Sequence, residues 1–142
     1  VTNGIGLICN AVDTILHITC PITSWNNHAV QIDDGDLYIS AKIRSGSTSA
    51  ILGNSGTLYL KQAELQSTGN NANSHAVENL GCNIKAAFSV LDCQHADAWS
   101  IYASVARHVT LYGCYANRPL HANVTNTVSG GLVVDPEIQV IS

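Results

Sequence analysis

The chain has 142 residues, one domain's worth and enough to bury a core without metal or disulfide staples. Apolar residues make up 46% and charged ones only 11%, so its polarity comes from Asn, Ser, Thr, Gly and His rather than from ions. A formal charge of −4 with six Lys plus Arg leaves no basic stripe for phosphates, and no apolar run approaches the ~18 residues that cross a bilayer; this argues against nucleic acid and against membrane insertion.

In chain order, the first pair of predicted strands is GLICNAV (Gly6 to Val12) and LHITCPI (Leu16 to Ile22). The pair returns as HAVQI (His28 to Ile32) with LYISAKI (Leu37 to Ile43), and as SAILG (Ser49 to Gly53) with LYLKQAEL (Leu58 to Leu65). It continues as HAVENL (His75 to Leu80) with CNIKAAF (Cys82 to Phe88), and as WSIYASV (Trp99 to Val105) with VTLYGCYA (Val109 to Ala116). The last pair is HANVTNTV (His121 to Val128) with LVVDPEI (Leu132 to Ile138). Alternation of apolar and polar residues over such short runs is the signature of strands, and no run keeps a helical period. Asp33-Asp34-Gly35-Asp36, Gly53-Asn54-Ser55-Gly56 and Ser129-Gly130-Gly131 supply turn chemistry between them.

The anchors Leu16, Leu37, Leu58, Cys82, Val109 and Leu132 are separated by 21, 21, 24, 27 and 23 residues. Recurrence at that period, with two strands per unit in fixed order, predicts an all-β fold in which equivalent strands stack in parallel: a β-helix, or solenoid, of about six short coils. Ile18, Ile39, Leu60, Ile84, Leu111 and Val134 then form an inward apolar column. The small or turn-tolerant Cys20, Ala41, Ala63, Ala86, Cys114 and Pro136 form the corner that follows it. Coils three and five carry one extra residue before that corner, which a bulge would absorb. One domain, residues 1–142, is expected, and a start at Val1 with no Met and no signal pattern reads as part of a longer chain. Five Cys in no zinc-like spacing read as mostly buried free thiols, suited to assembly in a reducing compartment.

Stacked parallel strands turn an alignment column into a physical row at about 4.8 Å spacing. The outward rows read His17, Tyr38, Tyr59, Asn83, Thr110, Val133 and Thr19, Ser40, Lys61, Lys85, Tyr112, Asp135. Stacked Tyr38 and Tyr59, flanked by His17, Lys61 and Tyr112, make the candidate ligand surface, with aromatic faces for sugar rings and polar groups for their edges. A ladder that only stabilises the sheet is the competing reading. Asp13 and Asp34 share a column in adjacent turns, close to the roughly 5 Å that retaining glycoside hydrolysis uses, so they are the candidate catalytic pair; Asp is also the expected residue at such bends. Arg44 is the nearest basic residue in sequence that a lyase would recruit. Asp33, Asp34 and Asp36 offer too few oxygens for calcium, and no metal or cofactor is expected. His28, Ser49 and His75 align in one column without an accompanying catalytic motif.

The repeat, as in HVTLYGCYA (His108 to Ala116), resembles right-handed single-stranded parallel β-helix proteins of the pectin-lyase-like superfamily, in particular the β-helical segments of bacteriophage tailspikes and tail fibres. The resemblance covers nearly the whole chain. It implies a structural and receptor-binding segment that presents a glycan-binding face to host cell-surface polysaccharide, placed in the virion tail and assembled in the host cytoplasm. It implies a homotrimer as well, which would bury outward apolar residues such as Val133 and Trp99. The alternative is a polysaccharide-degrading domain, glycoside hydrolase or lyase, and a third option is a solenoid adhesin. The non-enzymatic reading is preferred, because no carboxylate pair stands clear of a turn.

Overall fold

The computed structural model describes Thr2, residues 4–126 and residues 133–134. The first coil is β1 (Leu7–Cys9), β2 (Ile15–Ile18) and β3 (Ile22–Ser24); the second is β4 (Val30–Ile32), β5 (Asp36–Ile39) and β6 (Lys42–Ser45). The third is β7 (Ile51–Gly53), β8 (Thr57–Lys61) and β9 (Glu64–Ser67), and the fourth is β10 (Val77–Asn79), β11 (Asn83–Ala87) and β12 (Val90–Cys93). The fifth is β13 (Ile101–Ala103), β14 (Arg107–Tyr112) and β15 (Tyr115–Ala116), and β16 (Val124–Asn126) and β17 (Val133–Val134) belong to a sixth. Every strand pair among the described residues is parallel.

The strands stack into three sheets: a first of β1-β4-β7-β10-β13, a second of β16-β14-β11-β8-β5-β2 and a third of β17-β15-β12-β9-β6-β3. The chain is a parallel β-solenoid of five complete coils, with part of a sixth among the described residues. LHITCPI, LYISAKI, LYLKQAEL and VTLYGCYA each reach into two strands around a corner, whereas CNIKAAF holds β11 alone, and a coil has three sides where the sequence suggests two.

The core is the interior of the solenoid. The second sheet contributes Leu37, Leu58, Ile84 and Val109 in one row and Ile39, Leu60, Ala86 and Leu111 in the next, all buried. The third adds Ile43, Leu65, Leu91 and Ala116, and the first adds Val30, Ile51, Val77 and Ile101. Each buried Leu or Ile contributes about 1.5–3 kcal/mol relative to exposure, so every coil is held chiefly by its fit onto its neighbours. Leu16 and Ile22, in the first coil, are only half-buried, because a neighbouring coil covers them on one side.

Two expected registers move. In the fourth coil Ile84, not Cys82, stands opposite Leu58, and Ala86 stands opposite Leu60. Cys82, Ile84 and Ala86 all point inward, so a slip of two residues leaves the alternation intact, whereas a slip of one would invert every side chain. In the last coil Val124–Asn126 takes the second-sheet place, and Val133 and Val134 pair with Tyr115 and Ala116 in the third sheet rather than extending the Leu111 row. Asp135 and Pro136 lie outside the described residues, as does the side chain of Val133.

The correct small corner row is Cys20, Ala41, Ala63, Ser89 and Cys114, and all but Cys20 and Ala41 are buried. Coils three, four and five each carry an extra residue just before it, in left-handed backbone conformation: Gln62 (φ 52°), Phe88 (φ 50°) and Gly113 (φ 60°). Coils one and two turn without it.

The first three strands of the third sheet end on buried serines. Ser24, Ser45 and Ser67 stand in one row, and their hydroxyls donate to the carbonyls of Gly4 (2.7 Å), Asn27 (2.9 Å) and Thr48 (2.7 Å). Each of those carbonyls lies three residues before a first-sheet strand, so each hydroxyl ties the end of a coil to its own beginning. Such buried hydroxyls are stable only because each has its acceptor.

The cysteines are free, as expected, and Cys9, Cys82, Cys93 and Cys114 are buried while Cys20 is exposed. Burial pushes the thiols of Cys82 and Cys93 up to about 12, so both stay protonated and inert at neutral pH.

Candidate functional site

The outer face of the second sheet carries three rows. The first is Ile15, Asp36, Thr57, Asn83, His108 and Thr125; the second is His17, Tyr38, Tyr59, Lys85 and Thr110; the third ends in Lys61, Ala87 and Tyr112. His17, Tyr38 and Tyr59 therefore do form a row. The two-residue shift in the fourth coil brings Lys85 into it, in the place expected for Asn83, and leaves Ala87 between Lys61 and Tyr112.

The rings stack on each other. His17 and Tyr38 have centroids 4.8 Å apart at 15°, Tyr38 and Tyr59 are 4.2 Å apart at 3°, and the Lys85 ammonium lies 5.5 Å from the Tyr59 centroid. Both faces of Tyr38 and both faces of Tyr59 are thus occupied along the solenoid axis. A ligand approaching from outside meets ring edges and hydroxyls there, not the aromatic faces that the sequence suggests. The Tyr38 phenol is pushed above its ordinary value, first by desolvation and then by the neighbouring Tyr59 hydroxyl, so it remains a neutral donor.

A groove of about 320 Å³ opens beside this stack, lined by Tyr38, Tyr59, Lys61, Lys85, Ala87 and Tyr112 among others. It exists because Ala87 is the small member of its row: Lys61 on one neighbouring strand and Tyr112 on the other stand up as walls, and Ala87 is the floor. Tyr112 is 49% exposed and meets Phe88 edge to face at 5.4 Å, so aromatic surface remains open at that end. Phe88 itself is 57% exposed on a left-handed backbone. A bulky residue in that conformation is a genuine outlier. Gly113 gives its ring room, since a Cβ there would approach the Phe88 ring to 2.7 Å. Four of the five residues expected to bind ligand line or flank one groove, and His17 stands at the far end of the stack. Lys85, Ala87 and Phe88 complete the site once the fourth-coil register is known.

Asp13 and Asp34 both line a second groove of about 410 Å³, together with Val12, Thr14, Ile15, Gly35, Asp36, Gly56 and Thr57. Asp13 is exposed and Asp34 half-buried, Asp13 sits in a left-handed turn (φ 61°), and Asp34 accepts a hydrogen bond from the Gly35 N–H at 2.8 Å. These are turn roles. No lysine, arginine or histidine lines the groove, and Arg44 lies on the third sheet, its guanidinium 5.2 Å from the Trp25 ring centroid. Asp33 is engaged elsewhere, accepting from Gln31 (2.8 Å) and Asn54 (2.6 Å). No cluster of three metal-ligating side chains occurs among the described residues.

His28, Ser49 and His75 share a column, as expected, but they cap backbone groups of adjacent coils. The His28 Nδ1 lies 2.9 Å from the Ser49 carbonyl, and the Trp99 N–H donates to the His75 Nδ1 at 3.0 Å. Trp99 is half-buried, and its ring meets His121 edge to face at 5.1 Å. The chain matches no family model, no curated protein and no solved structure.

Proposed function

We propose that the chain is a shaft segment of a bacteriophage tailspike or tail fibre, three copies side by side, that holds host cell-surface polysaccharide in the groove over Ala87. The observation that carries the reading is the convergence, on one rigid sheet face, of an open aromatic ring (Tyr112) and two exposed lysines (Lys61 and Lys85) around a groove whose lining is almost wholly apolar. Sugars are recognised by such pairing of an apolar ring platform with a few placed polar groups. The repeat pattern in the sequence supports the tail-fibre context, and five thiols without a disulfide suit assembly in a host cytoplasm.

The test is retention on an array of bacterial surface polysaccharides. Tyr112→Ala should weaken binding by about 1 kcal/mol, roughly five-fold, through loss of the ring platform. Ala87→Trp should fill the groove and abolish binding while leaving the circular dichroism unchanged, because it only adds a ring to an outward row. Equal retention by the parent and both variants would sink the reading.

A further inference from the structure

The groove over Ala87 carries a charge pattern that sugar binding alone does not require. Lys61 stands opposite Ala87 and Lys85 opposite Tyr59, so the two lysines are diagonal neighbours on adjacent strands, about 7–8 Å apart at Cα. Both are exposed at their side chains, both line the groove, and no carboxylate does. The third lysine of the chain, Lys42, is neutralised by Glu64 at 2.8 Å on the third sheet, and this is the one ion pair among the described residues. The acids of this side of the molecule gather at the other end: Asp36 in the second coil, with Asp13 and Asp34 in the turns beside it. Two like charges placed side by side without a counter-ion repel each other, and they do so over a floor that gives them little water on one side. The chain as a whole is negative, which makes an unpaired cationic spot a local feature and not a spill-over of net charge.

We infer that the groove takes an acidic saccharide, one whose anionic group lies between Lys61 and Lys85 while a sugar ring rests on Ala87 and against Tyr112. This rests on the glycan reading above and narrows it. Lysine ammoniums are point charges without the planar fork of arginine, so carboxylate and sulfate are both accepted by charge and position. The Lys85 ammonium, held over the Tyr59 ring, is the better oriented of the two.

The experiment titrates the intact chain with a hexuronic acid tetrasaccharide and its carboxyl-reduced counterpart, and with a sulfated galactan tetrasaccharide and its desulfated counterpart. At least one acidic form should bind about five-fold or more tighter than its neutral partner, and the margin should shrink as salt rises from ~50 mM to ~500 mM. Lys61→Gln and Lys85→Gln should each lower affinity for the acidic form about three-fold and narrow its margin over the neutral form. Lys42→Gln, on another face, should change neither. Neutral and acidic forms binding alike, or lysine variants that bind the acidic form as the parent does, overturn the inference; if Ala87→Trp still abolishes that binding, the glycan reading survives. Absence of binding to all four sugars and to the polysaccharide array removes both.

Discussion

His28 and His75 occupy equivalent places two coils apart and use the same ring nitrogen in opposite senses. The Nδ1 of His28 donates to the Ser49 carbonyl, while that of His75 accepts from the Trp99 N–H, which places the His75 proton on Nε2. His75 is only 3% exposed and stacks on Tyr102 at 4.8 Å. Burial first and the nearby His121 second lower its pKa from 6.5 to about 4. Unfolded chains therefore take up this proton below pH 6.5, and folded ones only near pH 4. The stability that His75 permits is complete above pH 6.5 and is lost as pH falls through that window, by about 2 kcal/mol between pH 7 and pH 5. Urea midpoints at the two pH values check it, and His75→Gln, which keeps an acceptor for Trp99 but does not titrate, should flatten the difference. The repeated HAV of the sequence marks these positions plainly; their opposite tautomers were not legible, because they depend on which backbone group of the next coil faces the ring.

At the scale of the corner, an additional residue is accommodated by left-handed backbone at Gln62, Phe88 and Gly113. A side chain in that conformation costs about 1 kcal/mol relative to glycine. Gln62 is exposed, and of the interactions among the described residues only its backbone N–H bond to the Ala87 carbonyl, 3.1 Å, is relevant to the corner. Gln62→Gly keeps that bond, so it should stabilise the protein by about 0.5–1 kcal/mol, read as a raised thermal midpoint. Phe88→Gly should not follow suit, since it also removes the ring that meets Tyr112. These corners explain why the strands were legible and the fourth-coil register was not. Alternation reports which face a residue takes, and Cys82, Ile84 and Ala86 share a face; the corner that fixes the register looks in the sequence like any other Ala-Phe-Ser step. The Tyr38 and Tyr59 row precedes the slip and is legible in the sequence, whereas Lys85 lies within it and is expected one row away, and Ala87 has no place in the expected rows.

For the molecule as a whole, stacked coils leave a long flank that one chain does not cover. Val90 and Tyr115 project from the third sheet, 37% and 39% exposed, next to Phe88 and Tyr112. Monomeric proteins rarely expose apolar surface in such runs. Three chains side by side are the arrangement proposed, and light scattering should return three times 15.0 kDa. A monomeric mass would remove the shaft but not the groove, which is built from one chain. The row of buried serine hydroxyls has a last consequence. By closing the first three windings on themselves, Ser24, Ser45 and Ser67 hold the ends of the following connections, which run to five, five and nine residues before the next first-sheet strand. Length can change there without disturbing the far side, so foreign segments inserted at Asn71, within the longest connection, would decorate one edge of the rod while the face that carries Ala87 keeps its shape.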